Sequence, residues 1–319
     1  MKISLFTHMR NPEERMDPWR EALECYESIT NDIVIVGQDV EQEFKWDALG
    51  KMFQEGFDKS EGDWVINLSI DMLLHENDID RLIKLIKLYP DEPAIALPKY
   101  KFFEPERYQI KSFETVILNK KKYKNILFNG GGDLALPTLN NTVLNQSTVK
   151  HLDIPVWNYD TTFRTKEIIA EDRARFARAW FREFADYGDR GGPTNKEAFE
   201  AWFTMMKERY PFHTNKTKLK NHPKYIQHLL EDLREDQFGY NLFGFKEEAK
   251  FTLKNKINQN FYKKNDLIHY YDSDEGKYNI NFKVTGFDRD PLTSLIIEAK
   301  KKETIDVKAY KSLNDSPLN

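Results

Sequence analysis

The first hundred residues alternate short apolar runs with amphipathic segments, and this alternation most limits the architectures open to the chain. Residues 3–6 form an uninterrupted apolar run of the kind made by a strand buried on both faces. A polar turn, Thr7-His8-Met9-Arg10-Asn11-Pro12, follows it. Asp17 and Pro18 then open a helix as cap and first helical residue, with Trp19, Leu23 and Tyr26 on its apolar face. Residues 32–36, rich in β-branched side chains and closed by Gly37, read as a second strand. Strand, helix and strand within about forty residues make one βαβ unit. The pattern then repeats. A helix over 46–57 carries Trp46, Leu49, Phe53 and Phe57, and a strand follows that ends near Leu68. A helix over 78–88 carries Ile79, Leu82, Ile83 and Ile86, and a fourth strand lies at 93–98, bracketed by prolines. This order predicts an α/β fold, a mostly parallel Rossmann-like sheet flanked by helices.

Composition excludes several functions. Of 319 residues, 40% are hydrophobic and 31% charged, with a formal net charge of -4. So balanced a charge provides no overall field to recruit nucleic acid or an anionic membrane. The lysine clusters at 120–122 and 300–302 read as solvated faces. The single cysteine, Cys25, excludes an intramolecular disulfide and a cysteine metal cluster. No stretch approaches the ~20 apolar residues of a membrane span, and the N-terminal apolar run is too short for a signal peptide. A cytoplasmic protein is expected.

After residue 99 the pattern loosens. Residues 113–118 and 126–128 read as strands, followed by Asn129-Gly130-Gly131-Gly132-Asp133. These glycines lack the Lys-Ser/Thr pair and helix start of a phosphate loop, leaving either a flexible turn or a backbone that passes close to a ligand. Beyond Thr165 helices are expected over 166–187, 196–210 and 223–233. The first carries Ile169, Phe176, Trp180, Phe181 and Phe184, an aromatic stripe that reads as core. All six tryptophans lie at or before Trp202, so the tail is compositionally distinct, and alternation over 278–284 predicts a one-sided strand there. The expected division is a core over 1–160, a helical extension over 161–244 and a small α/β appendage over 245–319.

Residues able to carry chemistry gather around Gly62-Asp63-Trp64-Val65-Ile66-Asn67-Leu68-Ser69-Ile70-Asp71. A carboxylate just past a buried strand stands in the crevice where open α/β sheets bind ligands. The competing reading of Asp71 is a helix N-cap or turn residue, because a helical segment is expected to follow directly. Three ordered features resemble the nucleotide-sugar-binding half of family 2 glycosyltransferases. They are Thr7-His8-Met9-Arg10-Asn11 after the first strand, Val36-Gly37-Gln38-Asp39 after the second, and Gly62-Asp63-Trp64 leading to Ser69-Ile70-Asp71. At the last of these the family carries an Asp-x-Asp metal motif.

The resemblance implies a GT-A-like fold and inverting transfer of a sugar from a nucleotide-diphosphate donor to a glycan or other hydroxyl acceptor. It implies Mn²⁺ or Mg²⁺ at the diphosphate, where a hard cation neutralises charge building on the leaving group. Nucleotide contacts are then expected from Thr7, His8, Arg10, Gln38, Asp39 and Ser69. Relatives often carry an acid where Gly37 stands, so either Asp39 or backbone groups meet the base. Metal contacts are expected from Asp71, from Asn158 where relatives place a His beside a Tyr, and from His222 of a His-Pro pair. Ser69 in place of the first acid leaves two options: a metal held chiefly by Asp71, water and nucleotide, or weak metal dependence. An inverting transfer also needs a carboxylate base. Asp133 is the first candidate and Glu114 the second, both from the acceptor half. The alternative is a non-catalytic sugar-nucleotide or glycan-binding protein with a degenerate metal motif. A nucleotidyltransferase ranks below both, because residues 7–15 offer no glycine for its basic loop.

Overall fold

The computed structural model describes residues 1–38, 43, 45–130, 135–209, 215–246, 267–272, 277–287, 294–300 and 308–312. Strand β1 (Ile3–His8) is the axis of the principal sheet. Helix α1 (Trp19–Glu27) leads to β2 (Ile33–Val36), and α2 (Trp46–Lys59) leads to β3 (Trp64–Asn67). β1 pairs in parallel with both β2 and β3, with Leu5 opposite Ile33 on one side and Ile66 on the other. Next come β4 (Met72–Leu74), α3 (Glu76–Ile86), and the long β5 (Ala94–Glu104) and β6 (Arg107–Leu118). A three-stranded sheet of β7 (Leu127–Gly130), β8 (Leu136–Leu139) and β9 (Thr142–Val143) follows, then β10 (Lys150–His151) and β11 (Val156–Asn158). Helices α4 (Lys166–Phe184) and α5 (Asn195–Arg209), strand β12 (Asn215–Lys216), and short helices α6 (Gln227–Glu231) and α7 (Phe238–Asn241) come next.

The principal sheet runs β2-β1-β3-β6-β5-β11-β4, with β10 against β5 and β12 against β6. Only β4 and β6 run against the other strands of this sheet, so it is largely parallel, as expected. The apolar runs of β1 and β3 fill both faces. Leu5 and Ile66 join Tyr26 of α1 and Leu82 of α3 on one side, and Phe6 and Val65 join Phe57 of α2 and Phe128 on the other. Alternate side chains of a strand point to opposite faces, so a strand covered twice must be apolar at every position.

Four local expectations are corrected. Asp71 does not lead straight into a helix, because β4 intervenes and the α3 cap is His75, whose ring accepts from Asn77 N at 3.2 Å. The fourth strand does not stop at Pro98 but continues to Glu104. On one side Pro98 faces Phe113; on the other it falls between the stretches paired with β10 and β11, where its missing N–H costs no ladder bond. The helix expected over 223–233 is reduced to Gln227–Glu231. Of the stripe on α4 only Ile169 is buried core; the other buried positions are Ala170, Ala174, Ala177 and Ala179, while Phe181 and Phe184 are 42% and 45% exposed.

In the tail, β13 (Leu267–Asp272), β14 (Lys277–Phe287), β15 (Ser294–Lys300) and β16 (Lys308–Ser312) form an antiparallel sheet in that order. β14 covers the alternating run seen in the sequence. Among the described residues no helix is long and apolar enough to cross a membrane.

Candidate functional site

The chain passes from β1 through α1 to β2 on one side, then through α2 to β3 on the other, so the strand order reverses at β1. In open α/β sheets ligands bind at the carboxyl ends of strands at such a reversal. A cleft of about 400 Å³ lies there, within the usual size range for small-molecule sites. It is lined by His8 at the end of β1 and Met9, Arg10 and Asn11 after it, by Gly37 after β2, and by Ser69, Ile70 and Asp71 after β3. Ala48, Leu49 and Met52 of α2 form an apolar wall, and α4 contributes Ile168, Asp172, Arg173, Arg175 and Phe176 opposite.

The Ser69–Asp71 turn is held from three sides. Met72 N donates to Ser69 O at 2.8 Å, closing it. From behind, the buried Tyr26 hydroxyl lies 2.6 Å from Ser69 O and 2.9 Å from Met72 O. Tyr159 N, just past β11, donates to Asp71 O at 2.8 Å. The backbone is thereby committed while the Asp71 side chain is not: its buried Oδ1 has no hydrogen-bond partner. Burial pushes the Asp71 carboxyl up to about 6, and the like charges of Asp160 and Asp17 add to that against the pull of Arg164 and Lys101.

Around it stands a lattice of charges. Arg164, 5% exposed, bonds Asp160 at 2.8 Å and Asp172 at 2.9 Å and also contacts Asp17. Arg15 bonds Asp17 at 3.1 Å and Asp172 at 2.8 Å. Arg175 holds Asp172 from the other side. Lys101 reaches Asp160 at 2.8 Å and Arg173 approaches it at 3.6 Å. Burial works to raise the Asp160 carboxyl, but Lys101, Arg164 and Arg173 outweigh it and hold the group well below the usual range. Arg173 keeps its buried Nε without an acceptor, and its guanidinium lies 5.0 Å from the Trp202 ring centre. His8 is neutral at pH 7, because burial and the nearby Arg15 pull its ring down to about 4.

Of the residues picked from the sequence, His8, Arg10, Ser69 and Asp71 line the cleft together. Thr7 is buried within β1 opposite Ile35, and Gln38 is exposed beside the site; neither is among its lining residues. Asn158 is buried in β11 opposite Met72 and does not line the cleft. Glu114 lies on β6, paired with Lys99 and accepting from Ser112 at 2.8 Å, away from the cleft lining. Asp39 and Asp133 lie outside the described residues.

His222 is fully buried, with both ring nitrogens committed. Nε2 lies 2.7 Å from Pro105 O, and because a carbonyl can only accept, Nε2 carries the proton. Nδ1 therefore accepts from the Tyr159 hydroxyl at 2.8 Å. No lone pair remains for a cation, so its expected metal role is replaced by a structural one. Asp71, Asn158 and His222 thus do not assemble a donor set, and among the described residues no three His, Cys, Asp or Glu side chains are grouped to hold a metal ion.

The sequence reading took Asp17 for a helix cap, whereas Pro18 holds the cap position with no side-chain cap bond and the Asp17 carboxylate meets Arg15 and Arg164; it missed Arg15, Lys101, Asp160, Arg164, Asp172, Arg173 and Arg175. Charges at helical spacing read as a solvated face, and burial across three separate segments leaves no local signal.

No family model matches the chain, and no curated protein does. Among solved structures the chain is similar to a crystal structure of S. aureus TarS 1-349, at 12% identity over 91% of this chain and 98% of that one, with a TM-score of 0.33. A crystal structure of S. aureus TarS matches at 10% identity over 97% of this chain and 60% of that one, with a TM-score of 0.34. TarS 1-349 in complex with UDP-GlcNAc matches at 11% identity over 91% of this chain and 98% of that one, with a TM-score of 0.30. A likeness this weak carries no inference about function.

Proposed function

We propose that the protein is a GT-A-like glycosyltransferase that moves a sugar from a nucleotide-diphosphate sugar to a hydroxyl acceptor. The observation that carries this reading is the convergence of His8 and Arg10, Gly37, and Ser69 and Asp71 in one cleft at the strand-order reversal. These are the three segments whose motifs resemble family 2 enzymes. The apolar wall of Leu49 and Met52 suits a flat base, the arginines suit phosphate oxygens, and the unpartnered Asp71 oxygen suits a hydroxyl of the donor. Inversion and a base from Asp133 are proposed on the family resemblance alone, whereas Glu114, ion-paired to Lys99 and outside the cleft lining, is not proposed as the base.

The test is a thermal-shift panel of UDP, GDP, dTDP, CMP and their sugars on the natural protein and on Asp71→Ala. A nucleotide-sugar at about 100 times its dissociation constant adds roughly 2.7 kcal/mol, and the shift is expected to shrink in Asp71→Ala. Release of free nucleotide from the stabilising donor distinguishes a transferase from a binding protein. Absence of a shift with every ligand, with and without Mn²⁺, would remove the nucleotide-sugar reading.

A further inference from the structure

We infer that the diphosphate of the donor is met in this cleft by guanidinium groups, Arg173 foremost, and not by a divalent cation. The inference rests on the nucleotide-sugar reading above. A hard dication needs several oxygen ligands with net negative charge that no other cation already neutralises. Among the described residues the lattice sets four carboxylates, Asp17, Asp71, Asp160 and Asp172, against five cations, Arg15, Lys101, Arg164, Arg173 and Arg175. Asp160, the carboxylate that faces Asp71 electrostatically, is ringed by three of these cations. A dication placed between the two acids would meet that positive charge at close range. The remaining expected ligands do not supply compensation: Ser69 offers a neutral hydroxyl, Asn158 is buried in its strand, and His222 has no free nitrogen.

The same lattice suits an anion. Arg173 lines the cleft, has a buried Nε with no acceptor, and lies no nearer than 3.6 Å to its only carboxylate neighbour among the described residues. An unsatisfied buried donor on a cation is a site for a phosphate oxygen, and the planar fork of arginine presents several donors to it at once. Arg15 engages carboxylates through Nε and Nη1, which leaves Nη2 for a second oxygen. Both groups act by binding and by offsetting charge on the leaving diphosphate, the role a metal fills elsewhere.

Isothermal titration calorimetry of UDP, GDP, dTDP and CDP into the full chain, first in EDTA and then in Mn²⁺, tests this. One nucleotide is expected to bind in EDTA, with affinity changed less than about threefold by the metal. Arg173→Gln is expected to weaken it roughly tenfold or more, the worth of a charge-assisted hydrogen bond, with partial recovery in Arg173→Lys. Binding that appears only with Mn²⁺ overturns the guanidinium inference and leaves the nucleotide reading in place. Binding under neither condition removes the nucleotide reading itself. The comparison in EDTA uses the natural protein, so it decides the matter even where a variant is unstable.

Discussion

His222 illustrates how a single residue changes meaning once its neighbours are known. In the sequence it is a candidate ligand beside a proline; in the fold it is wedged between Phe102 and Trp157 and hydrogen-bonded at both nitrogens. Burial, helped slightly by His75, pulls its ring down to about 4 against the raising effect of its Pro105 hydrogen bond. The unfolded chain, with an ordinary histidine near 6.5, then binds the proton more readily than the folded one. Stability is therefore expected to fall as pH drops from about 6.5 to 4, by about 3 kcal/mol from this residue alone. Urea unfolding at several pH values checks this: His222→Gln should be less stable at pH 7 and show a shallower acid slope. An unchanged slope would mean that the ring is solvated. His8, also held near 4, contributes a slope of the same sign that the variant retains.

At the scale of elements, α4 shows what hydrophobic periodicity misses. Its aromatic residues recur at helical spacing, yet the face that meets α5 is built of Ala174 and Ala177 against Ala198. Close approach of two helix backbones requires small side chains, whatever larger apolar residues stand elsewhere on the helix. Trp180 packs on Phe184 and Phe181 on Tyr187, with Arg190 over the Trp180 ring at 3.3 Å. Ala177→Leu is accordingly expected to cost about 1–3 kcal/mol by overpacking, and Phe181→Ala less than about 1 kcal/mol. Chemical denaturation of the two variants side by side would reverse the assignment of faces if Phe181→Ala proved the more damaging. β5 teaches a related lesson, since its proline is admitted by a gap between two neighbouring strands that no local pattern announces.

Over the whole molecule, Arg164 joins segments far apart in the chain: Asp17 before α1, Asp160 after β11 and Asp172 within α4. Removing one member of so buried a set strands the others without compensation. Arg164→Gln is expected to cost about 3–5 kcal/mol, with little recovery in Arg164→Lys, which lacks the fork that reaches three carboxylates. A thermal melt within a few degrees of the natural protein would show that the lattice is solvated. Residue order alone was enough for the βαβ half, for the helices on either side of the sheet, and for His8, Arg10, Ser69 and Asp71 as neighbours at strand ends. Those features follow from local periodicity and from the geometric rule that parallel strands end at one edge. The charge lattice, the structural role of His222 and the alanine face of α4 were decided only by tertiary packing. Burial is a property of what surrounds a side chain, and these surroundings come from segments up to 157 residues apart.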